Sequence, residues 1–339
     1  MKAFTIEQKA AGRTLGRYLE LLLPGAPRSL FFKALRENKI KLNGRKPADL
    51  KLPLAEGDEL KLFLTEEQFA AFGAAAEERK EAEELDPSFL RIAFENDRFL
   101  VLNKPAGLLS QKDESGEPSL NEYALSYLRS SGYAFQPGFT PGVLNRLDRN
   151  TAGCVLMAKD LPTAQYLSKI LADKSLGKYY LAVTEGRISW DEKELRGFWT
   201  KDGLRNRVTL SSEKTADAKE VCCRVRVLAR TVKGAERTLV EVRLLSGKSH
   251  QIRAQLSAEG YPLVGDFKYG ARALGPEEKT LQLFARRLVF PDGGRIAPEV
   301  SADGASFEVA CELPAAMRQY LERHFPRAVF GLGTEARGV

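Results

Sequence analysis

The chain is poor in sulfur and nearly devoid of histidine. Its 339 residues include four cysteines (Cys154, Cys222, Cys223, Cys311) and two histidines (His250, His324). None of them falls at zinc-ligand spacing, and vicinal cysteines rarely bridge each other, so reduced thiols and no structural metal are expected. No apolar run reaches the roughly eighteen residues a membrane-spanning helix needs, and the opening MKAFTIEQKAAGRTLG lacks the apolar stretch of a signal peptide. The expected compartment is the cytoplasm. Neither a lipidation motif nor a basic amphipathic helix with a large aromatic face points to a membrane surface. Gly247-Lys248-Ser249 resembles the end of a phosphate-binding loop, but Val242 stands where that motif requires its first glycine, so no nucleotide cofactor is expected.

What is present suits packed cores: 43% of residues are apolar, and the length accommodates a large domain and a small one. The net charge of +7 favours a polyanionic partner, and its distribution is informative. Residues 1–64 carry thirteen Lys/Arg against seven Asp/Glu, whereas residues 66–86 carry two against eight. A basic head precedes an acidic connector.

The head reads helix, helix, strand, turn, strand. Leu15, Leu19, Leu22 and Leu23 make one helical stripe, and Leu30, Phe31, Ala34 and Leu35 make another. A short strand over 39–42, an Asn43-Gly44 turn and an alternating strand over 59–64 follow. Residues 65–88 are rich in Ala and Glu and predict a partly helical linker, which implies relative motion of the two domains. From 89 to 326 the pattern predicts strands over 90–94, 99–103, 154–158, 179–184, 221–228, 238–245, 283–290 and 307–311. Helices are predicted over 119–130, 161–173, 249–259 and 314–323. Strands outnumber helices without regular alternation, which argues for an α+β fold on a mixed, mainly antiparallel sheet with flanking helices. Residues 327–339 have little to bury and are expected to be frayed.

Several segments carry candidate chemistry. GVLNRLDRNTAGCVLMAKD (142–160) sets Asp148 between Arg146 and Arg149 in a polar loop leading to an apolar strand. Taken alone, an Asp beside Asn and Gly reads as a turn residue. KYYLAVTEG (178–186) holds Tyr179 and Tyr180, whose rings point to opposite faces of a strand. LSGKSHQIRAQLSAEGYPLVGDFKYG (245–270) reads as a helix capped by Ser249 and ended by Gly260, with Ile252 and Leu256 on a buried face. FENDRFLVLNKPAGLLS (94–110) is a strand with a Lys104-Pro105 turn.

Together, and in this order, these segments resemble the RluA-type RNA pseudouridine synthase family. Arg146, Leu147, Asp148, Arg149, Thr151 and Gly153 match its H-R-L-D-R-D-T-S-G signature, while Asn145, Asn150 and Ala152 depart from it. Tyr180 matches K-x-Y-x-A, Arg253 falls in the H-Q-I-R motif, and Lys248, Ser249 and Gln255 stand where Arg, Thr and His are common. RSLFFKALRENKIKLNGRKPADLKLPLAEGDEL resembles the RNA-binding fold named after small-subunit ribosomal protein S-four.

The resemblance implies isomerisation of uridine, with the glycosidic bond broken and re-formed to carbon five of the base, and no external cofactor. It implies Asp148 as the catalytic carboxylate, either attacking the anomeric carbon or taking the ribose 2′ proton. Tyr180 would lie against the base, and Arg253 would pair with Asp148. Base flipping would leave a gap that Arg146 fills. Arg149 and Lys248, with Arg13, Arg17, Arg28, Lys33 and Arg36 of the head, would contact phosphates. His250 reads as a structural hydrogen-bonder and Lys104, Pro105 and Gly107 as architecture. The implied partner is RNA, ribosomal RNA of the large subunit foremost, and the expected state is a monomer. A non-catalytic RNA-binding or ribosome-assembly protein is the rival reading. A glycoside hydrolase would need two convergent carboxylates, where the motif offers one.

Overall fold

A computed structural model describes residues 1–23, 26–70, 72, 85–113, 115–135, 139–202, 207–232, 234–272, 275–302 and 304–326. In the N-terminal unit, β1 (Lys2–Thr5), β2 (Ile40–Leu42) and β3 (Glu59–Leu62) form an antiparallel sheet in the order β1-β3-β2. Helices α1 (Leu15–Leu22) and α2 (Arg28–Arg36) accompany it. Thr14 caps α1 by accepting from the Arg17 N–H. Leu15, Leu19, Phe31, Ala34 and Leu35 are buried in one cluster with Ile40, Leu60 and Leu62. Asn43 and Gly44 both adopt positive φ, as the turn requires, and Asn43 Oδ1 accepts from the Glu59 N–H. The unit therefore begins with a strand that the expected helix-helix-strand-turn-strand order does not contain: four residues, KAFT, have too short a pattern to declare themselves, and pairing with β3 defines them.

The larger unit is built on an eleven-stranded sheet among the described residues. Its main path runs β10 (Arg207–Ser211), β9 (Glu192–Asp202), β11 (Lys219–Arg230), β12 (Arg237–Leu244), β8 (Gly177–Glu185), β13 (Leu283–Phe290), β7 (Ala152–Ala158), β5 (Phe99–Lys104), β4 (Ile92–Glu95). β14 (Phe307–Ala310) adds to β13, and β6 (Gly142–Val143) to β7. Among the named strands of the described residues, β7 and β13 pair in parallel and the other pairs are antiparallel. This is the expected mixed α+β architecture. The expected helices occur as α3 (Leu120–Ser130), α4 (Leu161–Ala172), α5 (Gln251–Ala258) and α6 (Ala315–His324).

The parallel β7–β13 contact is close. A Cβ on Gly153, which has φ +118, would stand 2.1 Å from the Ala285 carbonyl oxygen, so only glycine fits where the 144–151 loop enters the sheet. Of the acidic connector, residues 66–70 are helical and Phe69 joins the N-terminal core; residues 73–84 of the predicted linker, and the tail from 327 onward, lie outside the described residues. The two units touch: the Arg13 guanidinium lies over the Phe139 ring, 5.6 Å from its centre, and Gly12 abuts the Gln165 side chain.

Candidate active site

The loop between β6 and β7 carries Asp148, and the Lys104–Ser110 turn holds it from below. The buried Ser110 hydroxyl donates to the Leu147 carbonyl and accepts from the Leu147 N–H, both at 3.0 Å. Lys104, fully buried, donates from Nζ to the carbonyls of Pro105, Leu108 and Arg149 at 2.9, 2.7 and 3.0 Å. Burial pulls its pKa down to about 7, opposed by Asp148 and reinforced by Arg149. Asn145, which stands where the family has His, accepts from the Leu156 N–H at 2.7 Å and so ties the loop to β7.

Asp148 is left with a side chain 21% exposed. Its Oδ2 lies 3.8 Å from both Arg253 Nη1 and His250 Nε2. Arg253 directs the rest of its guanidinium elsewhere: Nε and Nη2 each donate to the buried Asp266 carboxylate at 2.7 Å. Burial opposes the guanidinium's charge, but the bonds to Asp266, aided by Asp148, outweigh it and raise its pKa. The expected pairing with Asp148 is thus a looser contact beside a tight fork to Asp266.

Tyr180 lies on β8 opposite Val242 of β12 and lines the same groove. Burial, with Asp148 adding, raises its phenol pKa well above the free value, so the resting site holds a protonated hydroxyl. Tyr179 faces away, its ring packed 3.9 Å from the Arg287 guanidinium, as strand alternation requires. Ser249 does not cap α5. The cap residue is His250, in the left-handed region (φ 53, ψ 16), while the Ser249 carbonyl accepts from Trp199 Nε1 at 3.0 Å. Here tertiary contact with β9 overrides the local capping preference.

The groove has a volume of about 800 Å³, and Arg146, Lys174, Lys178, Lys219 and Lys248 line it along with Asp148, Tyr180, His250 and Arg253. Arg146 and Lys248 are exposed there. Arg149 is turned outward: Nε donates to the Gly107 carbonyl at 3.0 Å and Nη2 pairs with Glu117. On the N-terminal unit Arg17, Arg28, Lys33 and Arg36 are exposed; Arg17 and Arg28 share Glu20 at 2.9 and 3.3 Å, and Lys33 lies 3.9 Å from Glu37. Arg13 is half-buried at the contact with Phe139, with Nε lacking a hydrogen-bond partner among the described residues. No cluster of His, Cys, Asp and Glu able to hold a metal occurs among the described residues, and no described helix is long and apolar enough to cross a membrane.

The Asp148 carboxylate in a basic groove that Tyr180 also lines, on a mixed sheet of this order, accords with the fold of the pseudouridine synthases. The human protein named RNA Pseudouridylate Synthase Domain Containing 4 superposes with a TM-score of 0.54 at 20% identity, over 68% of this chain and 92% of the human one. In sequence, a profile described as RNA pseudouridylate synthase matches residues 98–258. Ribosomal large subunit pseudouridine synthase C of Rickettsia bellii is 30% identical over 290 residues, covering 84% of this chain and 91% of its own. Ribosomal large subunit pseudouridine synthase D of Borreliella burgdorferi is 28% identical over 216 residues, 62% of this chain and 65% of its own. The chain belongs to the RNA pseudouridylate synthase family and is an isomerase.

In the sequence nothing marks Asp266 or Tyr269 as chemical groups, and His250 reads as a structural hydrogen-bonder. Asp266 and Tyr269 lie in the GDFKYG segment (265–270), but a turn beyond the helix gives no local cue that it folds back onto Arg253 and His250.

Proposed function

We propose that the protein is an RluA-type enzyme that isomerises specific uridines of large-subunit ribosomal RNA, acting in the cytoplasm as a monomer. The carrying observation is the Asp148 carboxylate held within 3.8 Å of Arg253 and His250 inside a lysine-rich groove. In this reading Asp148 is the catalytic group, attacking the anomeric carbon or removing the 2′ proton, and the arginine keeps it ionised against desolvation and nearby phosphates. Tyr180 packs on the flipped base, with its protonated hydroxyl as a hydrogen-bond partner. Arg146 occupies the gap left in the RNA. Lys174, Lys178 and Lys248 meet phosphates; Lys178, whose pKa burial and Lys174 both lower, gains most from an anion. The N-terminal unit, of the kind named after ribosomal protein S-four, supplies further contacts through Arg17, Arg28, Lys33 and Arg36. Relatives named for large-subunit ribosomal RNA support the substrate class.

The test maps pseudouridines in ribosomal and transfer RNA from cells with the wild-type protein, without it, and with Asp148→Asn. Loss of defined large-subunit sites in both altered strains is expected. Loss confined to transfer RNA would overturn the substrate, and full modification with Asp148→Asn would overturn the site.

A further inference from the structure

Behind Asp148 lies a hydrogen-bonded pair that the chemistry above does not use. The His250 Nδ1 stands 2.9 Å from the Tyr269 hydroxyl, with the two rings edge to face, and the opposite ring nitrogen, Nε2, faces Asp148. The Tyr269 oxygen also accepts from the Val208 N–H of β10 at 2.9 Å. His250 adopts positive φ, which a residue with a Cβ takes only against a steric penalty, and such strain persists where the surroundings over-determine it. Tyr269 itself is 5% exposed, and its ring lies under the Arg253 guanidinium at 5.1 Å.

These contacts determine where the imidazole proton sits. The Tyr269 oxygen already receives one N–H, and among the described residues the only acceptor in reach of its own proton is His250 Nδ1. Were Nδ1 protonated, the buried phenol proton would have no acceptor, a penalty comparable to a lost hydrogen bond. Burial lowers the imidazole's pKa, and Tyr269's is raised, so at neutral pH both groups are uncharged. The neutral ring with Nδ1 as acceptor carries its proton on Nε2, the nitrogen that faces the carboxylate.

We propose that Tyr269 is a positioning residue: its hydroxyl locks His250 in the Nε2–H tautomer, so that the imidazole presents a neutral N–H donor to Asp148 beside the charged Arg253. The chain runs from the β10 backbone through Tyr269 and His250 to the reacting carboxylate. β10, remote from Asp148 in sequence, thereby sets which ring nitrogen of the facing imidazole carries the proton. At 3.8 Å the N–H stands beyond hydrogen-bond length and points a neutral dipole at Oδ2 without adding charge. This inference rests on Asp148 as the catalytic group.

Only two histidines are present, so the tautomer is directly readable. Full-length protein labelled with nitrogen-15 histidine is examined by two-bond proton–nitrogen correlation at pH 7.5, with His250→Gln identifying the His250 ring. The expected wild-type spectrum shows a neutral His250 protonated on Nε2. Tyr269→Phe keeps the ring over which Arg253 lies and removes only the hydroxyl. It should let the Nδ1–H tautomer predominate and lower kcat by about fivefold to tenfold, the scale of one neutral hydrogen bond, with KM for RNA unchanged. A wild-type ring protonated on Nδ1 or on both nitrogens overturns the proposal, whether or not Tyr269→Phe folds, and so does a folded Tyr269→Phe enzyme with undiminished kcat. The spectrum needs no RNA, so an active Asp148→Asn enzyme would defeat the reading of the site separately.

Discussion

Arg253 grips Asp266 more tightly than it does Asp148: two bonds of 2.7 Å to the first, one approach of 3.8 Å to the second. The arginine is therefore both a fixture of the fold and a neighbour of Asp148. Arg253→Leu leaves Asp266 as a buried, unpaired carboxylate, and we expect a loss of about 3 kcal/mol of stability together with most of the catalytic rate. Arg253→Lys keeps the charge but not the two-pronged geometry, and should fall between the two. Denaturant titration beside single-turnover rates checks this; an Arg253→Leu protein of unchanged midpoint and rate would show the fork to be unimportant.

His250 gives a pH dependence of definite sign. Burial foremost, with Arg253 and Lys268 adding, depresses its pKa, while Asp148 and Asp266 oppose. With the folded value below the ordinary one of about 6.5, the unfolded chain binds more protons in between, and stability rises with pH through that window. The contribution of the neutral ring is thus complete above about pH 6.5 and is lost as pH falls through the folded value. Wild type should lose stability on acidification from pH 7 to 5 more steeply than His250→Gln. Parallel curves would contradict the assignment.

On the N-terminal unit, replacing Arg17, Arg28, Lys33 and Arg36 with alanine should weaken binding to structured RNA and flatten its salt dependence. For four lost phosphate contacts the slope of log K against log salt falls by about 3. Arg13→Ala should change the slope least, because that guanidinium already lies on Phe139. An unaltered slope in the fourfold variant would remove the unit from the RNA contact.

Much of this fold was legible where local chemistry and pattern coincide. Helix α3 begins where the Glu122 carboxylate accepts from the Ser119 N–H, and α4 begins where Asp160 accepts from the Thr163 N–H; both match the expected boundaries closely. The central strands are continuous apolar runs, such as β7, buried at every residue. By contrast β9 and β10 went unread. Their exposed, charge-rich faces blur the alternation, and what holds them is distant: Val208 with Ala254 and Tyr269, Trp199 with the Ser249 carbonyl. The site divides in the same way. Asp148, Tyr180 and Arg253, which share one groove, stand out in the sequence only by motif resemblance, while Asp266 and Tyr269 meet Arg253 and His250 only once the 266–270 turn folds against α5. Arg149 looked like a phosphate ligand, yet its guanidinium is engaged by Gly107 and Glu117 outside the groove.

The central claim is that the Asp148 carboxylate does the chemistry, and the most direct measurement is single-turnover pseudouridine formation by Asp148→Asn with saturating enzyme. The substitution keeps shape and removes charge, and the partly exposed side chain is not needed to fill the core. We expect a folded protein that binds RNA about as well as wild type and forms product only at background. A rate above about a tenth of wild type on bound RNA, a barrier change of under about 1.4 kcal/mol, would contradict the account.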